Sequence, residues 1–134
     1  MKSLLLIISV LLFINDINAQ GQKDTLDYSE ISKVQQAEWD ETEYMWWLGY
    51  YNPFLKKHKL KPSCANCTSI IFEAIFCVDE KGKTQASLIS ENVCGRKFSK
   101  KQKAELLQLL EKIVFPKVFY DGTFKFRIGR ALKC

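Results

Sequence analysis

The chain has 134 residues, 47% of them apolar and 26% charged, with a formal net charge of +5 and five cysteines. Such a balance is too apolar and aromatic for a disordered tail, and the length is too short for two ordinary domains. Six Gly, three Pro and no repeat at any period exclude collagen-like, low-complexity and solenoid chains.

Lys2, the apolar run Leu4 to Ile14, and Asn18-Ala19 have the layout of a cleavable secretory signal, with cleavage expected between Ala19 and Gln20. The run would span only ~16 Å as a helix, against a hydrocarbon core of ~30 Å. Residues 1–19 are therefore read as a removed leader. The expected location is periplasmic or secreted, with no stable membrane insertion afterwards. All five cysteines lie beyond the leader, so disulfides are the default, and an odd count leaves one thiol over.

Residues 20–62 read as a helical and aromatic segment closed by a basic linker. Residues 20–28 are polar and read as frayed. From Ser29, the spacing of Ile31, Val34, Trp39 and Met45 or Trp46 predicts an amphipathic helix. It runs into Trp46-Trp47-Leu48-Gly49-Tyr50-Tyr51-Asn52-Pro53-Phe54, where Gly49 and Pro53 are expected to end it. Lys56 to Lys61, containing His58, forms the linker, closed by Pro62.

Residues 63–134 read as a β-β-α-β domain. Thr68 to Val78 is β-branched and aromatic, Asp79 to Lys83 is a turn, and Thr84 to Ser90 is a second, more polar strand. Ser99 with Gln102 is a capping-box pair opening a helix through about Val114, with Ala104, Leu107, Leu110, Ile113 and Val114 at helical spacing. Pro116 stops it. Phe124, Phe126 and Ile128 then alternate with polar residues in a last strand. The expected fold is α+β: a three-stranded antiparallel sheet in order 2-1-3, with an N-terminal helix. Phe72, Ala74, Phe76 and Val78 should face the helix with the last strand's aromatics. The opposite face, with Ile71, Ile75 and Cys77, is too apolar to be simply solvated, so the aromatic segment or a partner should cover it.

Charge divides along the chain. Residues 20–45 carry a net −5 and residues 46–134 a net +10. This fits an acidic partner, or an acidic arm lying on a basic body. Nucleic acid is not an expected partner, since no recognition motif accompanies the basic residues.

Phe76-Cys77-Val78-Asp79-Glu80-Lys81-Gly82-Lys83 is similar to the strand–turn motif of the TonB C-terminal domain family. Ile113-Val114-Phe115-Pro116, followed by Asp121-Gly122-Thr123, resembles that family's helix end and last-strand entry. The resemblance spans residues 68–133. It implies a small exported protein-binding scaffold. It does not imply an energy transducer, which would need an uncleaved membrane helix and a Pro-rich linker. The cysteines are foreign to the family's pattern.

Antiparallel return of both later strands should gather Cys64, Cys67, Cys94 and Cys134 at one end of the sheet, with Cys77 at the other. Three chemistries fit: two disulfides, each joining Cys64 or Cys67 to Cys94 or Cys134; a four-thiolate zinc site; or an exchange-active C-x-x-C. Cys77 reads as a buried or half-buried free thiol. His58 reads as solvated, and no catalytic triad, metal–histidine set, phosphate loop or cofactor fingerprint can be assembled. The leading expectation is a disulfide-stabilised, non-enzymatic scaffold that offers a strand edge and Trp46, Trp47, Tyr50, Tyr51 and Phe54 to an envelope or secreted protein partner. The alternative is a thiol-disulfide exchange or zinc-binding protein using Cys64 and Cys67.

Overall fold

The computed structural model describes residues 24–134; the expected leader lies outside them. Strand β1 (Thr25–Asp27) leads through a short 3-10 turn into helix α1 (Lys33–Trp46). The helical path continues through a π-type turn (Trp47–Tyr51) into α2 (Asn52–Lys57). Then follow β2 (Ser69–Val78), β3 (Thr84–Val93), α3 (Lys100–Leu110) and β4 (Gly122–Ala131).

The sheet is four-stranded and mixed, in order β1-β4-β2-β3, not three-stranded and antiparallel as expected. β4–β2 and β2–β3 are antiparallel, and β1 lies parallel to β4 with Leu26 beside Phe124. Of the residues read as frayed, 20–23 lie outside the described residues, and Asp27 and Tyr28 are held by tertiary bonds. Lys125 pairs with Asp27 at 3.0 Å, the Tyr28 hydroxyl donates to Asp40, and the Gln36 amide donates to the Tyr28 carbonyl.

α1 and α3 open on reciprocal caps. The Ser32 hydroxyl accepts from the Gln35 amide N–H, and the Ser32 N–H donates to the Gln35 side chain. Ser99 and Gln102 repeat the device on α3. These bonds satisfy backbone donors that a helix start otherwise leaves unpaired. α1 buries Trp39 and Trp46, with Ile31 buried just ahead of it, while Val34 and Met45, expected on the same face, are each 62% exposed. α3 is shorter than expected. It turns Leu106 and Leu110 inward, leaving Ala104 exposed and Val114 open to solvent beyond its end.

Gly49 and Pro53 do not stop the helical path. The N–H of Asn52 donates to the Trp47 carbonyl, five residues back. This wider turn accommodates the chain until Pro53 enters the first turn of α2, where its missing N–H breaks no helical bond.

Both helical layers pack on one face of the sheet. Trp39 stacks on Phe126 with ring centroids 3.9 Å apart, and Phe115 covers its other side. Trp46 stacks on Tyr51, which meets Phe72 edge-on. A single cluster of buried side chains thus joins the N-terminal segment to the strands. Each large side chain contributes about 1.5–3 kcal/mol through burial. The aromatic segment therefore does not cover the opposite face, where Ile71, Ile75 and Cys77 stand beside Lys125 and Arg127.

Candidate functional site

The four gathered cysteines form two disulfides, Cys64–Cys134 and Cys67–Cys94, with sequence separations of 70 and 27. Hydrogen bonds set up both. Cys67 and Ser63 exchange backbone bonds that close the Cys64–Cys67 loop. The Cys94 N–H donates to the Ser69 carbonyl, and the Leu132 N–H to the Thr68 carbonyl, bringing β3 and β4 home to the start of β2. Each cysteine of the C-x-x-C is thus bonded outside the motif; an internal Cys64–Cys67 disulfide is not formed, and all four thiols are consumed. In the chain-entropy view, loops of these lengths contribute roughly 4 and roughly 3.5 kcal/mol. These bonds staple the scaffold.

Cys77 is free and exposed, not buried. It sits at the turn end of β2, with the Thr123 hydroxyl 3.9 Å from its Sγ. Its neighbours Lys81, Lys83 and Asp79 line an open cleft of about 700 Å³.

The five aromatic residues singled out from sequence divide. Trp46, Tyr51 and Phe54 are at most 3% exposed and are core packing residues. The Trp46 indole N–H donates to the Leu109 carbonyl at 2.7 Å, tying the helical path to α3. Burial pushes the Tyr51 hydroxyl's pKa upward. Trp47 and Tyr50 remain at the surface, with Leu48, Tyr44 and Met45 exposed beside them.

Trp47 carries the Arg130 guanidinium over its ring at 4.7 Å. On one side of this pair is a small cleft holding Asp40 and Glu43. Burial and the charge of Asp40 raise the Glu43 carboxyl to about 7, against the opposing pull of Arg130. No cysteine, serine or histidine lines that cleft. On the other side lies a groove of about 700 Å³, floored by Trp47, Leu55, Leu60 and Pro62.

His58 is not solvated. Its Nε2 lies 2.8 Å from a Glu105 oxygen, and its ring lies against Phe54. Lys57 takes the other Glu105 oxygen at 2.9 Å. Both hydrogen bonds lower the Glu105 pKa, that from Lys57 foremost. The basic linker is therefore anchored to α3 on one side. The groove on the other side has one signal in the sequence, the pair Leu55 and Leu60 bracketing a lysine run.

β3 is the second edge of the sheet, ten residues long, with Glu91 its single charge and neither Lys nor Pro. One register slip, between Glu73 and Ala74 of β2, leaves Ile89 as the extra residue, 47% exposed.

The chain matches no family model, no curated protein and no solved structure. Among the described residues, no helix is long and apolar enough to cross a membrane, and the two disulfides fit an oxidising compartment.

Proposed function

We propose that this protein is a non-enzymatic scaffold of the cell envelope or of the secreted fraction, similar to the TonB C-terminal domain, that binds a protein partner along β3. The observation that carries the reading is the state of the two sheet edges. β1 occupies the outer side of β4 and is itself only three residues long. β3 leaves ten residues of backbone on the rim with almost no charge. Ahead of the bulge at Ile89, Thr84 to Leu88 form a regular, uncharged run that can pair with an extended segment, and main-chain bonds then supply affinity. The disulfides hold the strand ends so that the edge is pre-organised, which cuts the ordering cost of binding.

The test is site-specific photo-crosslinking in the native envelope. A photo-reactive residue at Gln85 or Ser87 should trap one discrete adduct, and the same group at Lys103 on α3 should trap none. Lysines at Ser87 and Ile89 should reduce capture tenfold or more while leaving the melting temperature unchanged. Equal adducts from β3 and α3 positions would remove the reading.

A further inference from the structure

The end of α2 is built against its local preference. The Leu60 N–H donates to the Leu55 carbonyl at 2.8 Å, and the Lys59 N–H to the Lys56 carbonyl at 3.1 Å. This is the Schellman arrangement, which needs its penultimate residue in the left-handed region and is normally served by glycine. Here that residue is Lys59, at φ 54°. A non-glycine side chain in that conformation costs on the order of 1 kcal/mol. That conformation keeps Lys59 among the residues lining the groove floored by Trp47, Leu55, Leu60 and Pro62.

The rim is uniformly basic. Lys56, Lys59, Lys61 and Arg130 line it, and no carboxylate does. Among the described residues, Lys56, Lys59 and Lys61 make no ion pair, whereas Lys57, from the same run, is held on the far side by Glu105. An apolar floor inside a ring of cations is complementary to a short segment that combines carboxylates with one large apolar side chain. The volume, about 700 Å³, suits a few residues and not a helix or a whole domain. The placement of Asp40 and Glu43 tells against an anionic membrane as the occupant, since they lie across the Trp47–Arg130 pair from the groove, beside its basic rim.

We propose that this groove binds a short acidic peptide segment of a partner protein, seating an apolar side chain on Trp47, Leu55 and Leu60 and its carboxylates on Lys56, Lys59, Lys61 and Arg130. No β3 residue lines the groove, so the proposal stands or falls separately from edge pairing.

Lys59→Gly separates binding from folding, because glycine relieves the backbone while it removes a rim cation. The oxidised full-length protein is presented to an array of randomised hexapeptides and, separately, to vesicles containing 30% phosphatidylglycerol. The expected result is enrichment of hexapeptides in which Asp or Glu flanks a large apolar residue, with binding that weakens as salt rises. Lys59→Gly should weaken the best peptide three- to tenfold and melt at the same or a higher temperature. Lys57→Gln should leave peptide affinity unchanged. The proposal is overturned by enrichment of basic or neutral peptides, by the absence of enrichment, or by full affinity in Lys59→Gly. Vesicle binding that needs Lys59, with no peptide selected, would assign the groove to lipid and overturn it too. Salt-sensitive dimerisation lost in Lys59→Gly would make the occupant a second copy, with the same consequence.

Discussion

Glu43 lies between Asp40 on its own helix and Arg130 on β4. Its carboxyl is raised to about 7 by burial first, then by Asp40, and is lowered somewhat by Arg130. In the unfolded chain the same group titrates near 4.5. Between those values the folded state holds a proton that the unfolded state has released, so raising the pH through this window costs stability. Glu43→Gln should therefore be more stable than the parent at pH 8, by about 1 kcal/mol once the partial exposure of the cleft is allowed for, and equal to it at pH 4. Urea unfolding at the two pH values measures the difference, and equal gains at both would show that the proton is not responsible. Gly129, in the adjoining strand, makes a steric demand. Its φ is 129°, and a Cβ there would lie 2.1 Å from the Ile70 carbonyl oxygen. Gly129→Ala should cost at least about 3 kcal/mol, because backbone on both strands must shift. Gly49→Ala, with nothing within 4 Å of the new carbon, should be neutral or slightly stabilising. Neither feature announces itself in sequence. A glycine among alternating residues looks like any strand glycine, and a carboxyl's neighbours across a fold have no linear signature.

At the scale of elements, reading succeeded where local chemistry decides the outcome. The Asp79–Lys83 turn and the β-branched run of β2 place the hairpin, and a turn centred near Lys81 sets Cys94 against Thr68. The bulge at Ile89 moves that pairing one residue, to Ser69, yet keeps all four cysteines at one end. Reading failed at the helical path, since Gly49 and Pro53 are ordinary stop signals and only the packing of Trp46 and Tyr51 beneath them favours a π-type turn. The two disulfides differ in exposure: Cys64 and Cys134 are both exposed, while Cys67 is 5% exposed. Thiol exchange requires access. Alkylation under native conditions should label Cys77 before any reductant is added. Limited reduction should then open Cys64–Cys134 well before Cys67–Cys94, which should yield only on unfolding. Peptide mapping reads the order, and early labelling of Cys67 would contradict it.

For the whole molecule, the decisive piece is its smallest strand. Thr25-Leu26-Asp27 is too short to show a period, and its polar flanks look like solvated arm. Its order comes from distant partners: Phe124 beside Leu26, Lys125 on Asp27, and Asp40 on Tyr28. β1 makes β4 an interior strand and limits the long open edges to one. Leu26 is half-buried against the core, so Leu26→Asp places a charge where an apolar side chain packs and should undock β1. The global cost should be modest, about 1–2 kcal/mol, because only part of one side chain's burial is lost. The local effect should be larger. Amides of β4 facing β1 lose their partners, and hydrogen exchange there should accelerate tenfold or more while β2 amides stay protected. With a second flat edge exposed, the variant should also self-associate at concentrations where the parent is monodisperse. Accelerated exchange in β2 and β4 alike would mean that β1 supports the whole sheet. Unchanged exchange in β4 would mean that β1 is not what shields its edge.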